Sequence, residues 1–140
     1  MSTTDSPPGL HRIDREECLE LLAGDTVGRL AVTDGRTPGI FPVNYVLDGE
    51  DVVFRTDAGT KVDVGPRARA CFEIDAFDRQ THSGWSVVAT GRLEEVTSYD
   101  ARTWERVRTL PVEPWAGGVK SHWMRLVADR ITGRRIPPPT

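Results

Sequence analysis

The stretch Ile40-Phe41-Pro42-Val43-Asn44-Tyr45-Val46-Leu47-Asp48-Gly49-Glu50-Asp51-Val52-Val53-Phe54-Arg55-Thr56 decides the fold. Two apolar runs flank an Asp-Gly pair, and a glycine there supplies the unusual backbone angles of a tight two-strand turn. The spacing predicts antiparallel strands over 40–47 and 51–56. Upstream, from Val27, the apolar period is two, with Gly28, Leu30 and Val32 on one face and Arg29, Ala31 and Thr33 on the other. That run ends at another Asp-Gly pair, Asp34-Gly35, so three consecutive strands form a meander.

Before the meander, residues 13–24 carry a helix start signal. Asp14 is the N-cap, Glu17 its capping-box partner, and Ile13 faces Cys18 as a staple. Gly24 is the stop, and Cys18, Leu21 and Leu22 form a narrow packing face with a structural role. After the hairpin, residues 57–66 are too short for a full helix and suit a single turn. Residues 68–74 alternate as a strand, with Ala68, Ala70, Phe72 and Ile74 on one face, and a longer strand runs over 84–96. Its centre, Val87-Val88-Ala89, is apolar on both faces. Such a strand requires cover on both sides, by the barrel interior on one and by a helix or a second subunit on the other, and the expectation drawn from it is a dimer. A second helix spans 99–110, with Ala101, Trp104 and Val107 on one face and Pro111 closing it. A loop over 111–120 carries Trp115, and the last element, 121–136, is strand-like at 123–127. The expected fold is mainly β: a six-stranded antiparallel barrel with flanking helices.

The 140 residues fit one domain over 11–136 with short tails at 1–10 and 137–140. A composition of 38% hydrophobic and 28% charged residues is that of a globular chain. No run approaches the roughly 18 apolar residues of a membrane span. The polar start lacks a secretory h-region, so the expected location is the cytoplasm. A net charge of −3 and a pI near 5.6 argue against nucleic acid as a partner. Cys18 and Cys71 stand alone, without metal-ligand spacing, and no metal is expected.

The chemistry concentrates in Val53-Phe54-Arg55-Thr56-Asp57-Ala58-Gly59-Thr60-Lys61, in a chain with sixteen arginines whose only lysines are Lys61 and Lys120. A guanidinium, two hydroxyls, an ammonium and a glycine-freed backbone are the groups a phosphate monoester needs. A helical turn starting at Thr60 and Lys61 would add unpaired N–H groups. The competing reading pairs Arg55 with an acid such as Asp57 and leaves Lys61 solvated. Asn44, polar in mid-strand, wants a partner. Trp85 is equally a core residue and a cofactor contact. His82 and His122 have no partner at fixed spacing and are read as surface residues, with haem ligation as the alternative. No acid, base or nucleophile constellation emerges, and catalytic residues are unassigned.

Taken in order, Pro-Val-Asn-Tyr, the Asp-Gly hairpin, Phe-Arg-Thr-x-x-Gly-Thr-Lys, Ala-Cys-Phe-Glu-Ile-Asp, Gly-Trp-Ser-Val-Val-Ala-Thr-Gly-Arg and Ile-Thr-Gly-Arg-Arg resemble a known family. It is the pyridoxamine 5′-phosphate oxidase-like FMN-binding split-barrel family, more narrowly its short actinobacterial and nitroimidazole-resistance-type relatives. The resemblance covers residues 12–136. It implies that Arg55, Thr56, Thr60 and Lys61 hold the FMN phosphate and that the backbone of Pro42, Val43, Asn44 and Tyr45 runs along the isoalloxazine. It places Trp85 and Ser86 at the ring or ribityl edge. It further implies that Thr132 and Arg134, with Arg135 as the alternative, reach the flavin of the other subunit in a homodimer. The loop over 111–120 lacks a basic, hydroxyl-rich set for pyridoxal phosphate, so vitamin B6 oxidation is not expected. The implied function is an FMN-dependent oxidoreductase acting on a small molecule. The alternatives are a non-catalytic flavin-binding module and a reductase using the deazaflavin F420.

Overall fold

A computed structural model describes residues 9–33, 35–57, 68–116 and 120–139. In chain order the elements are β1 (His11–Ile13), α1 (Arg15–Ala23), β2 (Val27–Thr33), β3 (Pro38–Asp48), β4 (Asp51–Thr56), β5 (Arg69–Asp78), β6 (Ser83–Val96), α2 (Ala101–Val107) and β7 (His122–Ile136). Strands β7, β4, β3, β2, β5 and β6 follow one another around a ring, and a β6–β7 pairing closes it. All these pairings are antiparallel. The six-stranded barrel expected from the sequence is therefore present. It carries one addition, the three-residue β1, which pairs with the far end of β7. Three residues are too few to show a period, and β1 left no trace in the sequence pattern.

Alternation sends one face of each strand into the barrel. Leu30, Val52, Phe54, Phe72, Val87, Ala89 and Leu126 are fully buried there, and Tyr45 meets Phe72 edge-on with ring centroids 4.6 Å apart. Gly28 is required at this contact, because a Cβ in its place would lie 2.1 Å from the Phe72 ring. The β3–β4 hairpin pairs Asp48 with Asp51, so its two-residue loop is Gly49-Glu50, with Gly49 at φ +65°. β6 and β7 shift register between Thr90 and Gly91, a bulge that bends the long strands around the barrel.

Helix α1 closes one part of the barrel with Cys18 and Leu22, both fully buried. Its N-cap is as expected, the Asp14 side chain accepting from the Glu17 amide at 2.9 Å, but the Glu17 carboxylate pairs with Arg135 instead of returning to Asp14, and Gly24 is the C-cap. Helix α2 is shorter than the 99–110 expected. Asp100 is its N-cap, so Tyr99 lies before the helix and is 99% exposed. Val107 of α2 packs outside the barrel with Val53, Val96, Val112 and Trp123 in a second apolar cluster. The last strand is one continuous 15-residue element, longer than the strand expected at 123–127. Its first part lies between β4 and β6, and its last part between β1 and β6.

Candidate functional site

The end of β4 presents Arg55 and Thr56 on opposite sides, as neighbours on an extended strand must. Thr56 turns inward and is buried, its hydroxyl donating to the Asp57 carbonyl at 3.2 Å. Arg55 points outward. Its Nε donates to the Lys120 carbonyl at 3.1 Å, and its guanidinium lies 4.9 Å from the centre of the Trp123 ring. Lys120 Nζ in turn donates to Asp57 Oδ2 at 3.0 Å. Lys120 and Trp123 thus join the candidate phosphate end, although neither was assigned to it from the sequence. The scarcity of lysine was the one signal available. Thr60 and Lys61 lie outside the described residues.

On β3, Val43 and Tyr45 point into the barrel, whereas Pro42 and Asn44 lie on the outer face. The Tyr45 hydroxyl donates to the Leu22 carbonyl, and burial, with the Asp25 charge adding to it, pushes its pKa up. Its side chain therefore serves packing. Asn44 finds the partner its position demanded: its Oδ1 accepts from the Trp115 amide at 2.7 Å. That bond holds the loop after α2 beside β3 and borders a hollow of about 370 Å³ lined by Asp25, Asn44, Tyr45, Pro111, Glu113 and Trp115.

At the opposite end of β7, register brings three further candidates together. Ser86 lies opposite Arg134 and Val88 opposite Thr132, so Ser86, Thr132 and Arg134 share the outer face. Arg135 turns to the other side and pairs with Glu17 of α1 at 2.6 Å. Of the two arginines, Arg134 is thus the one beside Ser86. Trp85 packs against the barrel core and also borders a hollow of about 480 Å³ with Phe77, Ile136 and His82. The packing matches the core reading of Trp85. His122 is held by Glu95, with Nδ1 2.7 Å from Oε2, and His82 sits exposed in the β5–β6 turn at φ +55°.

Arg55 is opposite-strand neighbour to Trp123, while Ser86 is neighbour to Arg134. Eleven residues of β7 separate the two groups, at most roughly 36 Å were the strand straight, and they lie toward opposite ends of it. Within one chain the candidate residues therefore form two separate clusters.

A third group was not found from the sequence. Arg29 Nη1 lies 3.1 Å from Glu73 Oε1 and 3.4 Å from Asp75 Oδ1 on the outer face of β2 and β5. Burial raises the Glu73 pKa to about 7, helped by a hydrogen bond to Asp75 and its charge, and Arg29 opposes the rise. By register this trio continues a row that runs from Pro42 through Arg29, Glu73 and Val88 to Thr132. Val88, expected to need cover, lies half-buried in that row. Among the described residues no helix is long and apolar enough to cross a membrane.

A sequence model of the family described as pyridoxamine 5′-phosphate oxidase matches residues 14–135. The chain belongs to this family. Uncharacterized protein Rv0080 of Mycobacterium tuberculosis is 33% identical over 130 residues, 89% of this chain and 84% of that protein. Among solved structures of this barrel, the FAD binding protein of Mycobacterium smegmatis is 32% identical, with a TM-score of 0.77 over 92% of this chain and 100% of that one. A conserved protein of unknown function from Corynebacterium diphtheriae, DIP1874, is also 32% identical, with a TM-score of 0.77 over 92% of this chain and 99% of that one.

Proposed function

We propose that this family member binds FMN between two copies of itself and works as an oxidoreductase on a small molecule. The observation that carries this reading is the separation of the two donor clusters along β7. Arg55 and Thr56 lie at one end, and Ser86, Thr132 and Arg134 at the other. One flavin mononucleotide meets both only where two chains each contribute one end. The donor chemistry fits. The Arg55 Nε is committed to a carbonyl, which leaves its terminal nitrogens directed away from that bond, and Arg134 has no partner among the described residues. A relative at 32% identity named as FAD binding adds weight to a flavin.

In this reading Arg55, Thr60 and Lys61 hold the phosphate, while Thr56, expected beside them, turns its hydroxyl inward to the Asp57 carbonyl, and the outer edge of β3 from Pro42 to Tyr45 supports the ring. From the other copy, Trp85, Ser86, Thr132 and Arg134 complete the site. The bound flavin supplies the hydride and electron chemistry, and the protein orients it and limits access to it. Trp115, which is 75% exposed and tied to Asn44, is placed to limit that access.

The test is the absorbance spectrum of purified protein after incubation with FMN, FAD or F420 and removal of free ligand by gel filtration, with sedimentation in parallel. A retained FMN band on a dimer is the expected result. Retention of F420 alone would move the chain to the deazaflavin reading. A flavin-binding monomer would overturn the shared site.

A further inference from the structure

Fifteen arginines lie among the described residues, and eleven of them have a bonded or stacked partner. The other four are Arg12, Arg102, Arg130 and Arg134. Three of these four share one face of one sheet. Arg12 of β1 lies directly opposite Arg134 of β7, and Arg134 lies directly opposite Ser86 of β6. Arg130 stands four residues back along β7, opposite Thr90, with Thr132 between the two arginines on the same face. All three arginines are exposed. A shallow hollow of about 360 Å³ runs over Ser86, Val88, Thr90, Arg130, Thr132 and Arg134.

Like charges placed directly opposite on neighbouring strands destabilise a sheet. Elsewhere this chain sets an acid near its sheet arginines, as in Arg29 with Glu73 and Arg69 with Asp129. Here the nearest acid in the row is Asp75, opposite Ser86 on β5, and Arg29 already engages it at 3.4 Å. Two guanidinium groups, with a third close by and three hydroxyls between them, form a donor-rich surface of the kind that grips phosphoryl oxygens.

We propose that Arg12, Arg134 and Ser86, continued by Thr132 and Arg130, form a second phosphoryl-binding site beyond the monophosphate site at Arg55. Opposite Cα atoms on paired strands are roughly 5 Å apart, so Arg12 and Arg134 grip a single phosphate. Arg130, roughly 13 Å further along the strand, reaches toward a second. The occupant is a diphosphate or an additional phosphate. Its source is either the diphosphate of a flavin dinucleotide or a phosphorylated substrate that meets the flavin. Ser86, Thr132 and Arg134 also belong to the proposed flavin site, and the choice of source rests on that reading.

The experiment titrates inorganic pyrophosphate, FMN and FAD separately into the full chain by calorimetry. It compares wild type with Arg12→Gln, Arg130→Gln and, as a control, Arg102→Gln on α2. Pyrophosphate affinity should fall roughly tenfold or more in the first two variants. It should hold in the control and recover partly in Arg12→Lys. A wild-type preference for FAD over FMN that disappears in Arg12→Gln supports the site and assigns it to the dinucleotide. Pyrophosphate loss in Arg12→Gln with an unchanged ratio of FAD to FMN supports the site and assigns it to a substrate phosphate. Pyrophosphate sensitivity without any flavin binding sinks the flavin reading and leaves this site standing. Indifference of both pyrophosphate and FAD to Arg12→Gln and Arg130→Gln overturns it, as does an equal loss in Arg102→Gln. It is likewise overturned if Arg12→Gln weakens only the association of two copies in sedimentation, because acids of a second copy would then be the missing partners.

Discussion

Replacing Glu73 with glutamine tests the charge arrangement on the outer face. The folded chain holds the Glu73 proton up to about pH 7, against an ordinary value of 4.5, because burial and Asp75 disfavour the second negative charge. The folded state therefore binds this proton more tightly than the unfolded state. The resulting stability is complete below about pH 4.5 and is lost as the pH rises through about 7. At about 1.4 kcal/mol per pH unit the upper bound is about 3 kcal/mol. The Glu73 side chain is 29% exposed and that of Arg29 54%, so solvent screening brings the expected loss to about 1–2 kcal/mol. Glutamine keeps the shape, offers an N–H to Asp75 and an oxygen to Arg29, and does not ionise. Urea denaturation at intervals from pH 5 to 8 should show wild-type stability falling across this window while Glu73→Gln stays nearly flat. Asp75→Asn should move the wild-type fall to lower pH. Parallel pH profiles for wild type and Glu73→Gln would refute this account of the trio.

Lys61→Ala should weaken FMN binding by about 1.5–3 kcal/mol, the order of a lost charge-assisted hydrogen bond, and unchanged affinity would remove Lys61 from the phosphate site. Arg134→Ala should reduce retained flavin while the far-ultraviolet circular dichroism stays unchanged, and full retention would break the link between β7 and the cofactor. Gly91→Ala should cost at least about 2 kcal/mol, since the new Cβ would lie 1.9 Å from the Val127 carbonyl oxygen, backbone that a rotamer change does not move. A melting temperature within a degree or two of wild type would show that the bulge relaxes to accept it.

The barrel was legible because its strands announce themselves locally. Leu30 and Val32, or Ala70, Phe72 and Ile74, point inward wherever the period of two places them. The α1 cap was equally local, since Asp14 and Glu17 are three residues apart. What lay beyond reach was set by register between distant segments. Arg29 and Glu73 are 44 residues apart, and only the β2–β5 pairing makes them neighbours. The choice between Arg134 and Arg135 turns on a single residue of register, because a one-residue slip exchanges the two faces of a strand. Pairing with β6 and β1 puts them on opposite faces, with Arg135 against Glu17 and Arg134 opposite Ser86. The Lys120 contact with the β4 end escaped for the same reason, with 63 residues between Lys120 and Asp57.

Strand β7 carries a cost in time. It supplies a partner to β1, β4 and β6, and it is the last element in chain order. On the ribosome, β2 to β6 can pair with one another as they emerge, but β4 and β6 keep one open side each until residues 122–136 arrive. Open strand sides are templates for pairing with the wrong chain. Ring closure also joins segments far apart in sequence, which slows folding relative to local pairing. The nascent barrel is thus most vulnerable to aggregation in the interval before β7 is free, and a chaperone that shields sheet edges would matter most then.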